Sequence, residues 1–79
     1  MKLSVYNLKG LAYEGDVTSL TAKTASGEVT VLDHHRPLIS ILTAGQLTAR
    51  GKDGEQKIIP VSGGFLEVRP NNEISVILS

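Results

Sequence analysis

Seventy-nine residues and 8.4 kDa give room for one small domain, residues 1–79, and exclude a catalytic domain joined to a regulatory one. Eight Lys and Arg balance eight Asp and Glu, and Tyr6, Tyr13 and Phe65 are the only aromatic residues, so neither the basic field nor the stacking surface of a nucleic-acid binder is present. The lack of cysteine removes disulfides, thiolate zinc sites and cysteine nucleophiles, while 41% hydrophobic residues suit a folded chain.

From the N-terminus, Met1 to Gly10 contains Lys2 and Lys9 and no unbroken apolar run, so it does not read as a signal peptide. No later segment approaches the roughly 20 apolar residues of a membrane span, and direct membrane insertion is not expected. Seven valines and six isoleucines bias the chain towards strands. Leu3 and Val5 begin an alternating pattern, and Gly10 and Gly15 are expected to cut the N-terminal third into short strands. Leu20 to Thr24 and Glu28 to Leu32 flank a turn at Ala25-Ser26-Gly27, and the polar loop Asp33-His34-His35-Arg36 follows. Pro37 could open a helical turn, but Ile39 and Ile41 favour a strand to Leu42.

Leu47 and Ala49 alternate before a hairpin tip at Gly51-Lys52-Asp53-Gly54, and Ile59 and Val61 alternate after it. Ser62-Gly63-Gly64-Phe65 reads as a structural motif, a bulge or corner at which the backbone changes sheets. Leu66 and Val68 are separated from Ile74, Val76 and Leu78 by a turn at Pro70-Asn71-Asn72. Short strands at this spacing suit a sandwich or small barrel. The expected fold is all-β, an antiparallel two-sheet β-sandwich of short strands with no substantial helix.

Catalytic signals are weak throughout. His34 and His35 are adjacent, so in extended chain they point to opposite faces and cannot easily share an ion; a polar loop is the favoured reading. Ser62 lacks the strand-to-helix context of a nucleophile elbow, and Gly63-Gly64 matches no phosphate-loop spacing. Neither a cofactor nor a metal is expected. Lys52 on a hairpin tip raises one alternative, a lipoyl- or biotinyl-type carrier domain, although its neighbours Gly51 and Asp53 describe an ordinary solvated turn.

Taken in order, the motifs resemble the N-terminal β-sandwich domain of the epsilon subunit of the rotary ATP synthase. Tyr13-Glu14-Gly15-Asp16-Val17 is similar to the family's Y-x-G-x-V. Gly27-Glu28 followed by Val31-Leu32, His35, Pro37 and Leu38 is similar to G-E-x-G-[VI]-L-P-G-H-A-P-L-L, and Gly45-Gln46-Leu47 follows in place. Val61-Ser62-Gly63-Gly64-Phe65-Leu66-Glu67-Val68 resembles V-S-G-G-F-x-E-V, and Asn72-Glu73-Ile74-Ser75-Val76 resembles N-x-V-T-V. Four departures stand out: Thr30 replaces Gly, Asp33-His34 replace Pro-Gly, Arg36 replaces Ala, and Ala44 replaces Pro. All but the last fall in one loop region and remove residues pre-set for turns.

The resemblance implies a non-catalytic central-stalk subunit that links the gamma subunit to the membrane c ring and couples proton transport to ATP synthesis. It implies Glu28, Asp33, His34, His35 and Arg36 as the c-ring interface, with docking sensitive to pH between about 5 and 8 through the histidines. Leu38, Ile39 and Ile41 are the candidates for the gamma interface, against the alternative that they belong to the core. Family members continue into a two-helix domain that restrains ATP hydrolysis, so a chain ending at Ser79 would be expected to lack that inhibition. The isolated chain is expected to be a monomer. Its expected place is peripheral, on the cytoplasmic face of a bacterial inner membrane or the stromal face of a plastid thylakoid.

Overall fold

The computed structural model describes residues 1–79 as nine strands. They are β1 (Lys2–Asn7), β2 (Gly10–Asp16), β3 (Ser19–Thr24), β4 (Gly27–Leu32), β5 (Leu38–Leu42), β6 (Gly45–Arg50), β7 (Gln56–Val61), β8 (Gly64–Arg69) and β9 (Glu73–Leu78). One layer has the order β2-β1-β9-β8-β5 and the other β4-β3-β6-β7. A single pairing, Thr24 with Leu42, joins them, so the layers are one sheet curled over a corner. The all-β sandwich is as the alternating pattern requires.

Two details differ from the sequence expectation. The pairing is antiparallel except between β1 and β9, which run parallel with Leu3 beside Ile74 and Val5 beside Val76. This follows from two hairpins, β1–β2 and β8–β9, lying edge to edge, a long-range choice that no local turn signal encodes. Gly15, expected as a break, lies inside β2 opposite Leu3. A Cβ there would stand 2.9 Å from the Tyr13 hydroxyl, so this glycine leaves room for an aromatic ring rather than making a turn.

The core forms because alternate residues of both layers point inward. Leu3, Val5, Leu66, Val68, Ile74 and Val76 from the first layer meet Leu20, Ala22, Val31, Leu47 and Ala49 from the second in one cluster. Each fully buried Leu, Ile or Val contributes roughly 1.5–3 kcal/mol of hydrophobic free energy. Turns hold the register. In the β3–β4 turn the Thr24 hydroxyl donates to Gly27 O at 2.7 Å and accepts from the Ser26 N–H at 3.1 Å. Between β8 and β9 the three residues Pro70-Asn71-Asn72 end on Asn72 at φ 60°, the left-handed position that closes a three-residue hairpin loop.

The chain crosses from one layer to the other between Val61 and Gly64. Gly64 has φ 142°, and a Cβ on it would overlap the Ile77 carbonyl oxygen of β9. Only glycine lets β8 lie this close to β9.

The register also divides the molecule into two poles. One collects the β3–β4 turn, the Ser62-Gly63 crossover and Ser79. The other collects Met1, the Asp33–Arg36 loop and the Pro70–Asn72 turn, tied together by backbone bonds from Lys2 N–H to Asn72 O at 3.2 Å and from Val17 N–H to Met1 O at 2.9 Å.

Candidate docking surfaces

The outward positions of the first layer are apolar at one end and charged at the other. Ile41 pairs with Phe65, Phe65 with Ile77, Ile77 with Tyr6 and Tyr6 with Leu11, forming one lateral row across β5, β8, β9, β1 and β2. At about 4.8 Å per strand the row spans roughly 19 Å. All five side chains are exposed, Ile41 at 57%, Phe65 and Ile77 at 55% each, and Ile39 beside them at 73%. A contiguous exposed apolar row of this kind is a candidate docking surface. Towards the other pole the same face carries exposed ion pairs, Arg69–Glu67 at 3.2 Å and Lys2–Glu14 at 3.5 Å, each worth about 0–1 kcal/mol. The second layer's outer face is hydroxyl-lined, with Thr21 and Thr30 in contact at 3.1 Å.

Of the residues expected to meet a partner through apolar contact, Ile39 and Ile41 are on this face. Leu38 is not: strand alternation turns it inward, and it packs half-buried against the core. Tyr6, Leu11 and Ile77 lie outside the sequence expectation, and Phe65 enters it only as part of the glycine motif. For Tyr6, Phe65 and Ile77 the signal is present as apolar residues at the outward phase of β1, β8 and β9, but it becomes a row only when the strand order is known; Leu11 joins it through the register shift between Val5 and Tyr6.

The Asp33–Arg36 loop is fixed at the opposite pole. A turn over Leu32–His35 is closed by the His35 N–H donating to Leu32 O at 3.1 Å, with His34 at φ 61°. Positive φ at the third residue of a β-turn ordinarily calls for glycine. The shape expected of Pro-Gly is therefore kept by Asp33-His34 through contacts from outside the turn.

The Met1 ammonium donates to the Asp33 carboxylate at 2.7 Å and to Val17 O at 3.0 Å, and Asn72 Oδ1 accepts from the His34 N–H at 2.7 Å. Asp33 is held below its ordinary ionisation range, first by the hydrogen bond from the ammonium, with desolvation opposing and the ammonium's charge, Asn72 and His34 assisting. His35 Nδ1 lies 2.6 Å from Arg36 O. A carbonyl oxygen only accepts, so the ring proton sits on Nδ1 and Nε2 points away from that bond.

The loop residues Asp33, His34, His35 and Arg36 are thus brought together, and Glu28 is not among them. It stands at the far end of β4, paired with Lys23, five residues and roughly 16 Å of strand from Asp33. Lys52 sits in a solvated turn closed by the Gly54 N–H to Gly51 O at 3.1 Å.

Fold and surfaces define a small β-sandwich domain with an apolar outer face at one pole and a braced polar loop at the other. Residues 1–79 match the family model described as the ATP synthase delta/epsilon chain β-sandwich domain, and the chain belongs to that family. It is 41% identical over 71 residues to the ATP synthase epsilon chain of Acinetobacter baylyi, an alignment covering 90% of this chain and 51% of that one. It is 39% identical over 69 residues to the epsilon chain of an Exiguobacterium species, covering 87% and 51%.

The chain therefore spans about half the length of these curated relatives. A cryo-EM structure of the Euglena gracilis mitochondrial ATP synthase OSCP/F1/c-ring contains a chain of the same fold, with TM-score 0.90 and 23% identity, covering 96% of this chain and 48% of that one. One from the Tetrahymena thermophila central stalk and c ring has TM-score 0.84 and 17% identity, covering 99% and 62%.

Proposed function

We propose that this domain is a non-catalytic part of the rotor of an F-type ATP synthase, linking the gamma subunit to the c ring during proton-driven ATP synthesis. The observation that carries the proposal is the separation of two unlike docking surfaces on one stiff body. The apolar row Ile41-Phe65-Ile77-Tyr6-Leu11, with Ile39, is the gamma face, because burying it against a partner recovers hydrophobic free energy that folding leaves unused. The c-ring face is centred on Asp33, His34, His35 and Arg36 at the opposite pole and extends along the outer edge of β4 past exposed Leu32, with Glu28 at its far end, at the pole of the apolar row. Its charges act as rim contacts that set orientation and salt dependence.

The names of the relatives and the c-ring assemblies that hold the same fold support this reading. In a bacterium, the domain would stand on the cytoplasmic side of the inner membrane, without entering it. The family assignment leaves the carrier reading of Lys52 without a basis.

The test is calorimetric titration of the chain into its own gamma subunit. A one-to-one complex that Phe65→Asp weakens tenfold or more supports the assignment, since a charge at the centre of a desolvated contact costs ~1.4 kcal/mol or above. Unchanged affinity in that variant would remove the apolar row from the gamma interface.

A further inference from the structure

We propose that Asn72 is a positioning residue for the Asp33–Arg36 loop, selecting the turn that presents His35 and Arg36 to the c ring; this rests on the reading of that loop as a docking surface. The Leu32–His35 turn could adopt either of two forms that differ by a flip of its central peptide, Asp33–His34. In one the third residue has negative φ and suits most side chains; in the other φ is positive and suits glycine. His34 at φ 61° is in the second form despite its Cβ.

The group that records the flip is the N–H of that central peptide, and it is this N–H that donates to Asn72 Oδ1 at 2.7 Å across 38 positions of sequence. The flipped peptide would turn its N–H away from Asn72. Asn72 is itself well suited to the task. Its own φ of 60° is imposed by the three-residue β8–β9 loop, a position where glycine fits the backbone most easily and asparagine is the best-tolerated alternative that carries an amide. Its backbone carbonyl oxygen accepts from the Lys2 N–H at 3.2 Å, which anchors it to β1. The bracing that Asp33-His34 do not supply from their own turn preference thus comes from Asn72, aided by the Met1 ammonium on Asp33.

Asn72→Gly isolates the amide, because glycine keeps the left-handed backbone of the hairpin loop. Amide hydrogen exchange at His34 should accelerate about fivefold, the loss of one hydrogen bond, with no acceleration in β8 or β9 and no fall in melting temperature. Affinity for the purified c ring of the same synthase should weaken about fivefold. Adding His34→Gly should restore most of that affinity, since glycine holds positive φ unaided, and such rescue is a non-additivity that a merely structural role would not show.

Unchanged exchange at His34 in Asn72→Gly overturns the proposal. If exchange rises and c-ring affinity does not move, His35→Ala and Arg36→Ala decide the meaning. Should those weaken docking, the loop docks and Asn72 does not position it. Should they also be silent, the docking role of the loop fails and the proposal falls with it.

Discussion

Replacing Gly64 by alanine should remove a large part of the stability of this domain. Two costs combine at this position. At φ 142° an L side chain is strained by about 1–3 kcal/mol. In addition the new Cβ overlaps the Ile77 carbonyl oxygen and lies 3.0 Å from Leu78 Cα and 3.1 Å from Ile77 C, all backbone of the neighbouring strand. Backbone cannot swing aside as a side-chain tip can, so β8 and β9 must part, at about 1–3 kcal/mol more. The sum, roughly 2–6 kcal/mol, compares with a total near ~4–12 kcal/mol for a chain of this length.

Gly63→Ala is the matched control. Its Cβ would meet the Ser79 side-chain hydroxyl, which can rotate aside, at 3.1 Å and otherwise only Leu42 O at 3.9 Å, so it should cost less than about 1 kcal/mol. Urea unfolding followed by far-ultraviolet circular dichroism measures both, and each lost kcal/mol should lower the melting temperature by about 4–8 °C. If the two variants agree within about 1 kcal/mol, the argument that close strand approach selects this glycine is wrong.

Leu66→Ala should cost about 2–5 kcal/mol by the same assay, because Leu66 is fully buried between β5 and β9 and its cavity has rigid strand walls. Ile41→Lys should leave stability within about 0.5 kcal/mol while weakening the gamma complex, since Ile41 faces water in the free domain; a matching loss of stability would place it in the core instead. Asp33 should titrate below 3.8 by carbon-detected NMR. Its folded-state value lies under the unfolded one, so the stabilisation it lends the loop is complete above that pH and disappears as pH falls through the folded value. Loop disorder setting in between pH 5 and 6 would have to come from another group.

Most of the strand framework is legible in the sequence because alternation and turn chemistry are local. Leu66 and Val68 face the core while Phe65 and Glu67 do not, and that phase is readable from five residues. The turn at Pro70-Asn71-Asn72 is equally local. What sequence order hides is adjacency between distant strands. Ile41, Phe65, Ile77 and Tyr6 form a row only because β1 runs parallel beside β9 and β5 antiparallel beside β8. Leu38 illustrates the converse error: its neighbours Ile39 and Ile41 face water, and one residue of phase separates a docking side chain from a core one. Glu28 and Asp33 fall to one expected interface by motif position, yet an extended strand holds them at opposite poles.

If the domain is a connector, as proposed above, its curled sandwich suits the role because the two surfaces lie on different layers. A partner bound to the apolar row and a partner bound along β4 are coupled through the core cluster, in which side chains from both layers interlock. Close-packed interiors deform little, so in the proposed role a torque applied at one surface would reach the other with little slip. The weakest seam in that path is the corner where Thr24 and Leu42 make the one pairing between the layers. Thr24 is buried there, its hydroxyl bonded on both sides of the β3–β4 turn, and the Ala25 N–H donates to Ile41 O at 2.9 Å while the Thr43 N–H donates to Lys23 O at 3.0 Å. The turn and the strand end therefore close the seam where regular pairing runs out, and they do so directly beside Ile41, at the edge of the face assigned to gamma.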